Sequence, residues 1–412
     1  MKYIVLIGDG MADMPLAAIG GMTPLQKAAT PNMDALASGG IFGMAMTVPE
    51  GFPPGSDVAN LSILGYDPRD YYCGRAPLEA ASMGISLDKG DAAFRCNLVC
   101  LKLRESADEM LVAEYKDSNM DDYSSGHIST EEAKILITDI NKELSNDNIH
   151  FYPGISYRHL MVWKDGPVDM SCTPPHDITG KPIMSYLPHG EKSHLLLELM
   201  SKSQEILKDH PVNIERLRRG KPPANSIWLW GQGKRPDMPL FKAKYGIEGS
   251  LISAVDLPKG LGVCAGLRII DVPGATGYLD TNYTGKARYG IDSLNDRDFV
   301  YIHVEAPDEA GHSGKLADKI RAIEDFDTLV VGEVLRLLKG MGDYKILLMP
   351  DHPTPIALKT HTNAPVPFVI YDSRSVKTNN KISYNEGIAS MKDAVFIGEG
   401  HTLMSYFIKE QR

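Results

Sequence analysis

The sequence predicts an α/β protein, with a mostly parallel sheet, helices on both of its faces, and an inserted smaller α+β domain. Apolar, strand-like runs stand near both ends of the chain and alternate with helical patterns there, which is typical of a parallel sheet. The middle of the chain has a different, helix-rich texture with proline pairs. A length of 412 residues is too large for a single small core, so we expect two domains, or one large domain with an insertion.

The first predicted strand covers residues 3–7, a β-branched and apolar run that breaks at a G-D-G turn. Asp9 therefore lies at the carboxyl end of a buried strand. A short helix is predicted over residues 31–38, with proline early and two glycines stopping it. A second helix is predicted over 56–64, with Ser56 as its N-cap and Gly65 ending it.

Near the other end of the chain, residues 299–304, 345–349 and 367–371 are apolar runs that predict strands. A helical stretch is predicted over about 316–338. This second strand and helix alternation extends the same parallel sheet.

The middle region is predicted to be the inserted domain, over residues 81–221, and residues 1–80 with 222–412 form the core. A capping box from Ser129 to Glu132 precedes a helix that runs to Leu144. Another long helix is expected around 192–207.

Charge and composition exclude several classes of function. The formal net charge of −10 argues against nucleic acid as a partner. We find no apolar run long enough to span a bilayer and no signal peptide, so a membrane partner is not expected. Five scattered cysteines do not form a disulfide pattern, and a cytoplasmic protein is predicted. The number of subunits is left open, and a homo-oligomer is compatible with the sequence.

A set of carboxylates and imidazoles follows the predicted strands. Asp308 and His312 are four residues apart, a spacing that suits a metal-ligand pair. The strand at 345–349 is followed by Asp351 and His352, with His361 nine residues later. Because ligands collect outside the carboxyl ends of parallel strands, these groups and Asp9 can converge in one crevice. Mixed oxygen and nitrogen donors suit two divalent ions, whether Mn²⁺, Mg²⁺ or Zn²⁺.

Two metals a few ångström apart promote phosphoryl transfer by stabilising both the attacking and the leaving oxygen. Ser56, at a helix N-terminus, could then ionise and attack phosphorus. Backbone N–H groups at that terminus would favour the charge of the resulting phosphoserine.

The whole chain resembles the archaeal-type, cofactor-independent phosphoglycerate mutases of the alkaline-phosphatase superfamily. The strings that carry the resemblance include I-G-D-G-M-A-D, F-P-P-G-S-D-V-A-N-L-S-I-L-G-Y-D-P, H-V-E-A-P-D-E-A-G-H and K-T-H-T-N-A-P-V-P-F. Others lie in the middle region, such as S-S-G-H-I-S-T-E-E-A and Y-P-G-I-S-Y-R-H-L.

The resemblance implies a role for each donor and a reaction. One metal would be held by Asp9, Ser56, Asp351 and His352. The other would be held by Asp308, His312 and His361. Ser56 would take the phosphoryl group from a phosphoglycerate, and the glycerate trapped between the domains would recover it on its other hydroxyl. The partner is thus a small phosphorylated carboxylic acid, 2-phosphoglycerate or 3-phosphoglycerate, and no bisphosphoglycerate is needed.

This mechanism also needs a basic pocket for the carboxylate and a lid that excludes water, for which the inserted domain is predicted. Its candidate residues, together with two lysines of the core, are Arg95, His127, Arg158, His159, Lys259 and Lys286. Arg158 is favoured because its guanidinium fork can grip a carboxylate or phosphate bidentately.

Three alternatives stay open on the sequence alone. A homoserine kinase of the same family would use the same metals and serine, and a phosphomonoesterase would share the fold. A metal-binding protein without activity would be expected to lack a ligand or the nucleophile, and here all seven positions are filled.

Overall fold

The computed structural model describes residues 1–102, 118–377 and 381–409. The chain divides into two compact units. Unit 1 comprises Met1–Tyr72 and Asp237–Arg412, and unit 2 comprises Cys73–Pro236. Each unit has its own hydrophobic core.

Strands and helices in the described ranges are numbered in chain order. The strands are β1 Lys2–Gly8, β2 Ile41–Ala45, β3 Ala92–Lys102, β4 Asn119–Asp122, β5 Ile149–Tyr152, β6 Arg158–Trp163, β7 Met170–Ser171, β8 His189–Gly190, β9 Ser226–Lys234, β10 Gly249–Ile252, β11 Arg268–Ile269, β12 Phe299–Val304, β13 Tyr344–Met349, β14 Val366–Asp372 and β15 Val395–Ile397. The α-helices are α1 Pro24–Lys27, α2 Pro31–Gly39, α3 Ser56–Ile63, α4 Pro68–Tyr71, α5 Ala76–Ser82, α6 Thr130–Leu144, α7 Ser193–Lys208, α8 Pro211–Arg218, α9 Phe241–Tyr245, α10 Asp256–Cys264, α11 Tyr283–Ser293, α12 Ala306–Ser313, α13 Leu316–Asp325, α14 Gly332–Leu337 and α15 Leu403–Ile408. Short 3₁₀ turns are Ala17–Ile19, Pro175–Ile178, Met184–Tyr186, Glu386–Ser390 and Gly400–Thr402.

Unit 1 is built on an eight-stranded sheet in the order β11-β10-β12-β1-β13-β14-β2-β15. Its strands run parallel except β14, which is antiparallel to both neighbours. The predicted α/β class with a mostly parallel sheet is therefore confirmed, as are the strands expected at residues 3–7, 299–304, 345–349 and 367–371. Central β1 lies between β12 and β13, so the carboxyl ends of these three strands meet at the same edge.

The helical stretch expected over residues 316–338 is present but interrupted. A π-helical turn, Phe326–Val331, separates α13 from α14. The turn carries Asp327, whose carboxylate accepts hydrogen bonds from the backbone N–H groups of Asn32 (3.3 Å) and Met33 (2.7 Å). Asp327 thus caps the first turn of α2, where Thr30 makes no side-chain cap.

Unit 2 contains an antiparallel sheet in which β3 pairs with β4, β6 and β9, and β6 pairs with β5. The expected helices are present as α6, capped by Ser129, and α7. The boundaries predicted at 80/81 and 221/222 fall inside this unit, because β9 pairs with β3 and α5 packs on both strands. The role of unit 2 as a lid stays a prediction.

The sequence predicts neither a membrane-spanning helix nor a disulfide framework. Within residues 1–102, 118–377 and 381–409, we find no helix with the length and apolarity that a membrane crossing requires. All five cysteines lie in these ranges as free thiols. Burial raises the pKa of the Cys172 thiol to about 12, so this group is a thiol at neutral pH.

A buried ion pair ties two loops of unit 1 together. Lys319 on α13 has no exposed side-chain surface, and its Nζ lies 2.8 Å from Asp13 Oδ2. The same ammonium donates to the carbonyl oxygens of Ala12 (3.3 Å) and Thr354 (2.6 Å). Asp13 Oδ2 also accepts from the N–H of Ile356 (3.1 Å). Lys319 therefore links the loop that follows β1 to the loop that follows β13.

Replacing Lys319 with Met should lower the free energy of opening of unit 1 by about 3–5 kcal/mol, because Asp13 keeps its buried charge and loses its counter-ion. Native-state hydrogen exchange of the β1 amides measures this free energy without requiring both units to unfold together.

The control is Lys315→Met, which removes an exposed lysine 3.8 Å from Asp318 and should change the same quantity by less than about 1 kcal/mol. Equal effects of the two substitutions would contradict the structural role of Lys319.

Candidate metal centre

The seven residues predicted to form the centre are brought together in unit 1. Asp9 directly follows β1, and Asp308 and His312 lie on α12, which follows β12. The other four residues are Asp351 and His352 after β13, Ser56 at the start of α3, and His361 before β14. Parallel pairing of β1 with β12 and β13 explains the convergence of groups that are far apart in the chain.

One part of the site, the Asp308 cluster, consists of Asp308, His312 and His361. The two imidazoles approach each other at 2.9 Å between their Nε2 atoms. Asp308 Oδ2 lies 3.3 Å from His312 Nε2, and its Oδ1 lies 3.4 Å from His361 Nε2. His312 Nδ1 is 3.0 Å from the carbonyl oxygen of Lys359, which leaves Nε2 directed at the other two donors.

The second part, the Asp9 cluster, consists of Asp9, Ser56, Asp351 and His352. Ser56 Oγ lies 3.0 Å from His352 Nε2 and 3.5 Å from Asp9 Oδ1. His352 Nε2 is also 3.5 Å from Asp9 Oδ1 and 3.6 Å from Asp351 Oδ2. All but Ser56 are buried. The structure therefore brings the predicted nucleophile into contact with the predicted ligands.

Ser56 is the first residue of α3, and the N-cap is Gly55, so the sequence-based N-cap assignment is wrong by one position. The Ser56 hydroxyl makes no capping bond and points instead at Asp9 and His352. Asn60, one turn later, donates from its side-chain amide to the Ser56 carbonyl and to Asp351 Oδ2, both at 2.8 Å. Asn60 thus fixes the start of α3 against the loop after β13.

The carboxylates and imidazoles of the site perturb one another's ionisation. Burial, followed by repulsion from Asp351 and Asp308, raises the pKa of Asp9 well above its usual value. Burial alone would raise the pKa of Asp351, but the imidazoles of His352 and His303 lower it below its usual range. The Asp308 carboxylate raises the pKa of His312 to about 9. Bound cations would offset the repulsion between these buried carboxylates.

The donor set fits divalent metal ions. Three groups each place three ligand atoms within 4.8 Å of one another, namely Asp308 with His312 and His361, Asp9 with His303 and Asp351, and Asp9 with Asp308 and His352. Carboxylate and imidazole donors together suit Mn²⁺, Mg²⁺ and Zn²⁺.

Three residues that contact the predicted ligands, Thr354, Asn60 and His303, were not predicted from the sequence. Thr354 Oγ1 donates to Asp308 and lies 3.3 Å from His352 Nδ1, so it contacts both clusters. Asn60 could have been found from its position four residues after Ser56 on one helix face. His303 reads as part of an apolar strand, although alternation along β12 places it on the same side as Tyr301, whose hydroxyl contacts Asn60.

The two lysines predicted to bind substrate are engaged in ion pairs. Lys286 is fully buried and pairs with Glu305, while donating to the carbonyl oxygen of His303 at 2.9 Å. Lys259 Nζ lies 2.8 Å from Asp271 Oδ1 near the surface. Substrate binding by either lysine stays a prediction.

The candidates in unit 2 divide into two buried groups and two exposed groups. Arg95 is paired with Glu79 at 2.9 Å and lies over the ring of Trp230. His159 is buried, its Nδ1 accepts from the N–H of Gly154 at 3.0 Å, and burial lowers its pKa to about 3.

The exposed candidates are Arg158 and His127, and both contact the ring of Tyr157. The Arg158 guanidinium carbon lies 5.1 Å from the ring centre, and the His127 ring is edge-on at 5.9 Å. His127 adopts a left-handed backbone with φ of 49°, an uncommon conformation that clusters at functional sites. These two exposed side chains therefore contact the same partly buried aromatic ring.

The chain was compared with known proteins. A family model described as 2,3-bisphosphoglycerate-independent phosphoglycerate mutase matches residues 37–213. A Geobacter sulfurreducens protein named "Probable 2,3-bisphosphoglycerate-independent phosphoglycerate mutase" is 53% identical over 408 residues, covering 99% of this chain and 100% of that protein. A Methanosarcina mazei protein named 2,3-bisphosphoglycerate-independent phosphoglycerate mutase is 53% identical over 388 residues, covering 94% of each chain.

A solved protein of Pyrococcus horikoshii is similar in structure, with a TM-score of 0.80 and 30% identity. The match covers 100% of this chain and 98% of that one, so the similarity extends along the whole length. Because relatives more than half identical extend over nearly all of the sequence, the chain belongs to the family of 2,3-bisphosphoglycerate-independent phosphoglycerate mutases.

Proposed function

We propose that the protein is an isomerase that interconverts 2-phosphoglycerate and 3-phosphoglycerate by passing the phosphoryl group through Ser56. The observation that carries the proposal is the position of Ser56 Oγ, 3.0 Å from His352 Nε2 and 3.5 Å from Asp9 Oδ1, inside a cluster of metal donors. The names of its relatives support a reaction that is independent of 2,3-bisphosphoglycerate.

In the proposed reaction, Ser56 Oγ forms a bond to phosphorus while the bond from phosphorus to the substrate oxygen breaks. Glycerate is left as the other product. Its second hydroxyl then attacks phosphoserine, which restores Ser56 and yields the other phosphoglycerate. Ser56 lies in the first turn of α3, where backbone N–H groups favour the negative charge of the phosphoserine.

Two divalent ions complete the proposed site. Asp9, Ser56, Asp351 and His352 would hold one, and Asp308, His312 and His361 the other. Bound Mn²⁺, Mg²⁺ or Zn²⁺ would lower the pKa of the Ser56 hydroxyl and offset charge on the phosphoryl oxygens. Thr354 and Asn60 hold Asp308 and Asp351 in place as the residues that orient these donors.

The carboxylate of the substrate needs a cationic partner. Arg158 and His127 are the favoured residues because both are exposed and share the Tyr157 ring. The planar guanidinium can bind a carboxylate through two parallel hydrogen bonds. Unit 2 is accordingly proposed as the substrate-binding unit.

A reducing cytoplasm is proposed as the location of the protein, in keeping with its five free thiols.

Replacing Ser56 with Ala should reduce turnover of 3-phosphoglycerate on the order of 10⁶-fold, the scale on which loss of a nucleophile acts. Metal content should stay nearly unchanged because the carboxylate and imidazole donors remain. Appearance of 2-phosphoglycerate and metal per chain by mass spectrometry are the two measurements.

Ser62→Ala is the matched control, since Ser62 is buried on the same helix and its Oγ has no hydrogen-bond partner among the described residues. Normal turnover by the Ser56 variant would show that the nucleophile lies elsewhere.

Replacing His361 with Ala should lower bound Mn²⁺ from about two ions per chain toward one, because the Asp308 cluster loses a donor, and activity should fall with it. Elemental analysis after gel filtration in limiting Mn²⁺ gives the occupancy. His150→Ala, on the exposed side of β5, is the control. A fully metallated and active His361 variant would contradict the assigned coordination.

The choice of acceptor is tested on purified protein by two parallel assays. We expect 3-phosphoglycerate to give 2-phosphoglycerate without ATP or 2,3-bisphosphoglycerate, and homoserine with ATP to remain unphosphorylated. Activity in the homoserine assay alone would identify a kinase. Release of inorganic phosphate instead of 2-phosphoglycerate would identify a phosphomonoesterase.

A further inference from the structure

His303 is a buried imidazole next to the Asp9 cluster with one unsatisfied nitrogen. It has no exposed surface, and its Nε2 lacks a hydrogen-bond partner among the described residues. This nitrogen lies 3.5 Å from Asp9 Oδ2 and 3.7 Å from Asp351 Oδ2, beyond the 2.7–3.2 Å range typical of an N–H···O bond. A buried nitrogen left without a partner costs free energy, so its placement needs a reason.

The other ring nitrogen of His303 is oriented by a carboxylate. Nδ1 lies 3.3 Å from Glu305 Oε1, and Glu305 is paired with buried Lys286. Lys286 also donates to the carbonyl oxygen of His303 at 2.9 Å. An ionised carboxylate only accepts hydrogen bonds, so Glu305 holds Nδ1 as an N–H donor and leaves Nε2 as the ring nitrogen that could bind a cation. This carboxylate–histidine pairing is typical of metal-binding imidazoles.

Nε2 of His303 faces carboxylate oxygens of Asp9 and Asp351. Asp9 presents Oδ1 to Ser56 and His352, and Oδ2 to His303. Asp351 Oδ2 lies between the two imidazoles, 3.6 Å from His352 Nε2 and 3.7 Å from His303 Nε2. The ligand atoms of Asp9, Asp351 and His303 lie within 4.8 Å of one another, and a cation among them would offset the negative charge of the two carboxylates.

We infer that His303 is a further metal ligand, which binds through Nε2 the ion held by Asp9 and Asp351. The inference rests on the proposed two-metal site and adds a donor that neither the sequence motifs nor the family resemblance assigned. In this arrangement Glu305 and Lys286 act as positioning residues, which fix the ring of His303 without touching the ion.

The test counts imidazole nitrogens on the ion of the Asp9 cluster. The protein is labelled with ¹⁵N-histidine and carries His361→Ala, which weakens the other site, and one equivalent of Mn²⁺ is added. Pulsed electron paramagnetic resonance should detect two coupled imidazole nitrogens, those of His303 and His352. With His303→Ala added, one should remain. A single coupled nitrogen in the His361→Ala protein would overturn the inference without any change to His303 itself.

Affinity gives a second readout that does not depend on activity. In the otherwise native chain, His303→Ala should weaken binding of one of the two Mn²⁺ ions by at least roughly 10–100-fold and leave the other unchanged, and Glu305→Gln should weaken the same ion less. His401→Ala is the matched control, because His401 also lies 3.6–3.7 Å from two carboxylates but outside the site. Unchanged affinity in the folded His303 variant would refute the inference.

Failure of this inference can be told apart from failure of the proposed function. A protein that binds two Mn²⁺ ions and converts 3-phosphoglycerate, yet shows one imidazole nitrogen on the ion of the Asp9 cluster, refutes the role of His303 alone. A protein that binds none of Mn²⁺, Mg²⁺ and Zn²⁺ refutes both.

Discussion

The structure of unit 1 depends on holding three buried carboxylates, those of Asp9, Asp308 and Asp351, in one crevice. Such groups repel one another and lose hydration, and the raised pKa of Asp9 reflects both effects. The chain compensates with fixed donors. Asp351 Oδ1 accepts from the backbone N–H groups of Gly10 (3.0 Å) and His352 (2.8 Å). Thr354 donates to Asp308. These bonds orient the carboxylates but do not cancel their charge, which is why cations suit the site.

The parallel sheet explains how such a crowded site can be built. β1, β12 and β13 deliver their loops to one edge, and the loops pack too closely for ordinary side chains. Gly10 shows this most clearly, since its φ is +58° and an added Cβ would collide with Asp308 and Thr354. Lys319 links the loop after β1 to the loop after β13, because it pairs with Asp13 and donates to the carbonyl oxygen of Thr354. The geometry of the donors therefore depends on a glycine, a buried ion pair and strand order together.

The strands and most helices could be predicted because each is encoded locally, and the seven residues of the predicted site could be singled out from local strings and from the family resemblance. A strand run followed at once by an acid, as at Asp9 and Asp351, needs no knowledge of distant contacts. Local patterns say little where a distant partner decides the outcome. The pairing of β9 with β3, which places both strands in unit 2, cannot be inferred from either strand alone. His303 was overlooked because an imidazole within an apolar strand reads as core until Asp9 and Asp351 are brought beside it.

Cationic side chains illustrate the same limit and bear on the chemistry. Sequence alone presents every Arg and Lys as available, but buried ones need a carboxylate, and each buried Lys and Arg among the described residues has one. The pairs are Lys286 with Glu305, Lys319 with Asp13, Arg216 with Glu132 and Lys345 with Asp372, and the partly buried Arg95 is paired with Glu79. The charge of each of these cations is balanced by its carboxylate partner, so these residues add little net positive charge that could attract an anionic substrate. The chain as a whole has a formal net charge of −10. In the proposed reaction, positive charge at the phosphoryl group would then come mainly from ions held by the carboxylates, so the proposed donor set, His303 included, would decide how fast the phosphoryl group is transferred.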